Sequence, residues 1–159
     1  MPRGGRITKR KLIPDPVYGH RLVTRFINRV MKQGKKALAQ RLVYDAFSQV
    51  EKISKNKPLE VFLQAIENLK PNMEVRSRRI GGAAYQVPIP VRGDRKEALA
   101  IRWLIGAASK RPNKEHSTFS EKLAAEIIAC ARGEGIAIQK KKDVQRMAEA
   151  NKAFAHFRW

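Results

Sequence analysis

Side chains able to carry covalent or acid–base chemistry are sparse in this sequence. Its three histidines, His20, His116 and His156, are scattered over the whole chain, and Cys130 is its one cysteine. A single thiol builds no metal cage and no internal disulfide. Cys130 sits in "AAEIIACAR", at the spacing of a buried helix face, which reads as a small core hydrophobe suited to a reducing compartment. No pair of acids stands out on one face. "GRITKRK" and "GKK" lack both the spacing and the Ser or Thr of a phosphate-binding glycine loop. The expectation is a protein that is not an enzyme, with no catalytic residue, metal, cofactor or small-molecule substrate.

The groups that recur are cationic, and the chemistry open to them is the charge-assisted hydrogen bond to phosphate. Residues 1–11 hold Arg3, Arg6, Lys9, Arg10 and Lys11 and no acid. Arg21, Arg25, Arg29 and Lys32 follow at steps of four, four and three, a stripe on one helix face with no acid of its own. Lys35 and Lys36 come directly after Gly34. Arg76, Arg78 and Arg79 crowd "RSRRIGG", and Arg92, Arg95, Lys110, Arg111, Lys140, Lys141 and Lys142 extend the series. Altogether 34 Lys and Arg oppose 14 Asp and Glu, for a net charge of +20. Self-repulsion of that size is offset by a polyanion, with nucleic acid the first choice and an anionic membrane surface the second. No apolar run approaches the ~18 residues of a membrane span. The basic start is followed by no apolar stretch, so it does not read as a secretory signal.

The elements that must position these cations follow from periodicity. The 159 residues suit one domain, and 43% hydrophobic residues supply a core. Residues 1–12 read as a flexible basic arm and 13–159 as a helical body. In 21–32, Leu22, Val23, Phe26, Ile27, Val30 and Met31 share the face opposite the basic stripe. Gly34 stops that helix. The next runs over 35–53 with Leu38, Leu42, Val43, Ala46, Phe47, Val50 and Ile53 inward. Lys35 and Lys36 at its start oppose the helix macrodipole, as residues placed there for a ligand would. Pro58 fits the first turn of a third helix that Pro71 ends. Asp94 and Glu97 have capping-box spacing for a fourth, with Leu99, Trp103, Leu104 and Ala107 inward. Thr118 and Glu121 repeat that spacing for a fifth, and "RGEG" precedes a last helix-forming stretch.

One segment departs from the helical period. Residues 73–80, "MEVRSRRI", and 84–91, "AYQVPIPV", alternate with period two around Gly81 and Gly82, which predicts a β-hairpin. Pro88 and Pro90 lie two apart, so their missing N–H groups share one edge, blunting it if it faces outward. A lone ribbon is marginal, so its base leans on helices while its tip projects with Arg76, Arg78, Arg79 and Tyr85. Tyr85 and Trp159 are aromatic rings suited to stacking on bases. The fold class is thus mainly α, a single-domain bundle of about six helices with a protruding two-stranded hairpin between helices three and four.

"DPVYGHRLVTRFINRVMKQGKKALAQRLVYDAF" resembles the signature region of the small-subunit ribosomal proteins numbered seven. "RRIGGAAYQVPIPV" with "ALAIRWLIGAASKR" looks like that family's hairpin and following helix, and "RMAEANKAFAHFRW" is similar to its bacterial and plastid C-terminus. One departure is Asp143, Val144 and Gln145, where an Asp-Thr-His step is expected. The resemblance implies a primary binder of small-subunit rRNA, seated on the three-prime major domain, that nucleates assembly of the head. It implies a position at the subunit interface near exit-site tRNA and mRNA, beside ribosomal proteins nine and eleven. The arm Arg3 to Lys11 would thread between RNA helices, and Lys35 and Lys36 would meet the backbone. Arg76, Arg78 and Arg79 would line the ribbon, with Gly81 and Gly82 at its tip near tRNA. The implied location is the cytoplasm, in the ribosome, with the plastid stroma left open. The alternative from the residues alone is a general basic helical DNA- or RNA-binding protein.

Overall fold

The computed structural model describes residues 12–157. The basic arm expected over residues 1–12, and Trp159, fall outside that range except for Leu12. The described elements are α1 (Arg21–Val30), α2 (Lys36–Ser54), α3 (Pro58–Leu69), β1 (Met73–Ile80), β2 (Ala83–Pro90), α4 (Gly93–Lys110), α5 (Phe119–Ala131) and α6 (Ile136–Ala150), followed by a 3-10 segment (Lys152–Phe157). The fold is the mainly helical body with a hairpin between α3 and α4 that the periodicities predict.

Phe26, Phe47 and Phe62 are fully buried at the centre, with ring centroids 5.0 Å apart for Phe26 and Phe62 and 5.3 Å for Phe47 and Phe62. Leu123 and Ile127 of α5 reach the same core, and α5 packs against α2, α3 and α4. Each such side chain contributes roughly 1.5–3 kcal/mol through removal of apolar surface from water. Two residues expected inward are exposed. Leu38 is 52% exposed and Ile53 62% exposed.

The helix starts differ in chemistry. His20 caps α1, its Nδ1 accepting from the Leu22 amide at 3.2 Å. Ahead of it, buried Asp15 accepts from the amides of Val17 and Tyr18 at 3.1 Å and from the Tyr44 hydroxyl at 2.8 Å. Burial and that bond to Asp15 push the Tyr44 phenol up to about 12. Thr118 and Glu121 form the expected capping box on α5. The Thr118 amide, donating to Glu121, holds that carboxyl below its ordinary range. Asp94 and Glu97 do not cap α4, whose N-cap is Arg92 without a side-chain bond. Both carboxylates instead accept from Arg25 of α1, where a charged donor outcompetes a backbone amide.

The hairpin joins Ile80 to Ala83 across Gly81 and Gly82, so its second strand starts one residue earlier than expected. Both glycines have positive φ, 57° and 92°, as a two-residue turn of matching twist requires. The register places Pro88 opposite Val75 and Pro90 opposite Met73. Counting from the turn, and from the Val91 amide that donates to the Asn72 carbonyl, these are non-hydrogen-bonded pairs. Both proline nitrogens therefore face the outer edge and cost the ladder nothing. The base is held by α6 and by the 3-10 segment. Tyr85 lies 5.4 Å from the rings of both Phe154 and Phe157. The C-terminal aromatics thus occupy the Tyr85 ring that the sequence offers to bases, and the projecting tip shortens to Arg79–Ala84.

Candidate nucleic-acid interface

The turn from α1 to α2 concentrates charge. Gln33 and Gly34 both take positive φ, 54° and 74°, which folds Lys32, Lys35 and Lys36 around one corner. Gly34 meets that demand without strain, and Gln33 meets it at some cost. Lys35 caps α2 without a side-chain bond, so the first amides of α2 and two ammonium groups face the same solvent. Arg21, Arg29, Lys32, Lys35 and Lys36 are all exposed and have no ion-pair partner among the described residues. Arg29, Lys32 and Lys35 rim a cleft of about 440 Å³ that reaches Ile105 and Phe119. Exposed Leu38 lines this cleft, which gives its side chain a surface to border.

Other predicted cations are tied into the body. Arg25 breaks the acid-free stripe, since its guanidinium donates to Glu97 and, at 3.3 Å, to Asp94 of α4. Glu74, only 7% exposed, accepts from Arg76 at 2.6 Å and from Arg95 at 2.7 Å. Both arginine side chains stay about half exposed, 51% and 48%, so a phosphate can share them. Arg78, paired in the register with Tyr85, is half-buried, whereas Arg79 is exposed near the turn. Arg92 is exposed at the start of α4, and Lys110 at its end.

Arg111 has a structural anchor. Its Nε donates at 2.7 Å to Glu126, a carboxylate with 0% exposure in the middle of α5. The other Glu126 oxygen accepts from the Ala137 amide at 3.0 Å, in the first turn of α6. Gly135 passes so close that a Cβ there would lie 2.9 Å from that oxygen, and its φ is +98°. One buried carboxylate thus joins the end of α4, the middle of α5 and the start of α6. Burial and the adjacent Glu126 charge push the Cys130 thiol up to about 12, so Cys130 is the inert core thiol its spacing predicts. Along α6, Lys140 and Lys142 are exposed while the Lys141 ammonium donates to the Asn68 carbonyl at 2.7 Å.

The structure therefore brings together the exposed cations of the α1–α2 corner and separates the hairpin and α4–α6 cations from them. Sequence reasoning passed over Arg102; with Trp103, expected inward and found half-buried against the core, and with Lys110 and Lys140, it lines a second cleft between α4 and α6. It also missed Glu126 as an organiser, although a lone acid inside "AAEIIAC" is the pattern a buried, partnered carboxylate leaves. Among the described residues no group of three His, Cys, Asp or Glu side chains is placed to hold a metal, and no helix is long and apolar enough to cross a membrane.

Residues 2–152 match the family described as ribosomal protein S7p/S5e. The chain is 52% identical, over all of both chains, to the small ribosomal subunit protein uS7 of Anaeromyxobacter sp. (strain Fw109-5). It is 50% identical to that of Syntrophomonas wolfei and 51% to that of Phytoplasma mali, again over the full length of each. With its helical body, its hairpin and its unpaired cations, this chain belongs to the ribosomal protein S7p/S5e family, whose members are structural proteins and not enzymes.

Proposed function

We propose that this chain is a structural constituent of the small ribosomal subunit and binds its rRNA directly. In this reading it is a primary binder of the three-prime major domain and nucleates assembly of the head. It lies at the subunit interface, with the hairpin tip Arg79–Ala84 close to exit-site tRNA and mRNA and with ribosomal proteins nine and eleven as neighbours. The relatives reported above come from bacteria, so the cytoplasmic ribosome is the location that fits, and they lend no support to a plastid origin.

The single observation that carries the reading is the α1–α2 corner. Four exposed cations, Arg29, Lys32, Lys35 and Lys36, stand there without acid partners among the described residues, whereas Arg76, Arg95 and Arg111 are held by the buried carboxylates Glu74 and Glu126. Such a surface is arranged for phosphate, and phosphate contacts position a protein without reading bases. Specificity then comes from the fit of corner, hairpin and arm to folded RNA, since side chains do not enter the deep A-form major groove. Omission from a reconstitution of the small subunit tests this. The head domain should fail to compact without the chain and recover when it is added. A head that assembles normally in its absence would overturn the nucleating role.

A further inference from the structure

We propose that the cleft between α4 and α6 is a second RNA subsite, taking one unstacked nucleotide of a single strand with its base on Trp103 and its phosphates on Arg102, Lys110 and Lys140. The inference rests on the RNA-binding reading above and names what this face adds to it. The cleft has a volume of about 480 Å³, within the range of small-ligand sites. Trp103 lines it while remaining only half-buried in the core, so part of the indole is left open to a ligand. Ile136, 43% exposed, forms the facing apolar wall.

The rim is cationic. Arg102, Lys110 and Lys140 are exposed and have no ion-pair partner among the described residues. Asp143, the one acid at the cleft, already accepts from the Gln139 amide group at 3.1 Å. Aromatic surface beside a basic rim is how single strands are held, since every base has a face to stack and every link a phosphate to pair. Inside a regular duplex both faces of a base are covered by its stacked neighbours, so a duplex does not satisfy the site. The two walls are set by Glu126, which grips Arg111 at the end of α4 and Ala137 at the start of α6. These two bonds tie the walls together at that end of the cleft.

The test uses the full chain with Trp159→Phe, which leaves Trp103 as the sole one of two tryptophans. A five-nucleotide uridine RNA is titrated while Trp103 fluorescence is followed, beside an abasic strand of the same length. Saturable quenching by the uridine strand and none by the abasic strand is expected. With a labelled strand, Trp103→Leu should weaken binding about ten-fold, whereas Trp103→Phe retains most of it. Arg102→Gln with Lys140→Gln, both at the surface, should also weaken binding, and checks the site without touching the core. Silent Trp103 fluorescence, equal quenching by the abasic strand, or unchanged affinity in the Arg102 and Lys140 variant would overturn the subsite. If the three-prime major domain fragment still binds the intact chain, only this inference falls; if that fragment does not bind either, the ribosomal reading falls with it.

Discussion

Glu126 has no solvent-exposed surface, and its two oxygens serve Arg111 and the Ala137 amide. Replacing it with Gln keeps an acceptor for the amide but leaves the 17%-exposed Arg111 side chain without its counter-charge. Breaking a buried pair from one side costs about 3 kcal/mol or more. Urea denaturation of Glu126→Gln should show a loss of that order, and a loss below about 1 kcal/mol would remove Glu126 from its organising role. Cys130 belongs to the same site. Its thiol titrates near 12 in the native chain against 9.0 for an ordinary thiol. The native state therefore keeps this proton where the unfolded state releases it, and stability declines as pH rises from about 9 toward 12. A maleimide should leave native Cys130 unlabelled at pH 8 and label it promptly in urea. Rapid native labelling would show that the thiol is not enclosed.

Elements were legible in the sequence to different depths. The helices followed from apolar residues at helical spacing, and the hairpin from period-two alternation about Gly81 and Gly82, because both patterns are local. Which cations stay free was not legible, because their partners come from far along the chain. Glu97 lies 72 residues from Arg25, Glu74 lies 21 from Arg95, and Glu126 lies 15 from Arg111. The reassignment of Asp94 and Glu97 from capping α4 to holding Arg25 is the same effect. Likewise, Tyr85 meets Phe154 and Phe157 only because α6 returns the chain to the hairpin. Tyr85→Ala should speed chymotrypsin cleavage after Phe154 and Phe157 while leaving the melting temperature of the body unchanged. Cleavage at the wild-type rate would mean that the contact does not hold the segment. At the α1–α2 corner, Lys35→Gln with Lys36→Gln should lower the slope of log affinity for rRNA against log salt by about 0.7–0.9 per lost contact. Neither ammonium supports the core, so unfolding should not change; an unaltered slope would clear these lysines of phosphate contact.

At the scale of the whole molecule, a +20 chain binds any polyanion at low salt, so attraction alone proves little. The proposed reading requires affinity that survives physiological salt, with corner, clefts and hairpin engaging one folded RNA together. Residues 1–11 add five cations and no acid. Removing them should weaken rRNA binding yet leave the circular-dichroism spectrum and melting temperature of the body intact, and a collapsed spectrum would contradict the division into arm and body. The most direct test of the central claim is a salt titration of binding to the three-prime major domain of small-subunit rRNA, with tRNA and duplex DNA as competitors. Binding to the rRNA fragment should stay tight at physiological salt while both competitors fall away. If all three polyanions bind alike and dissociate together, the cationic surface reads only charge, and the assignment to a specific place on ribosomal RNA is wrong.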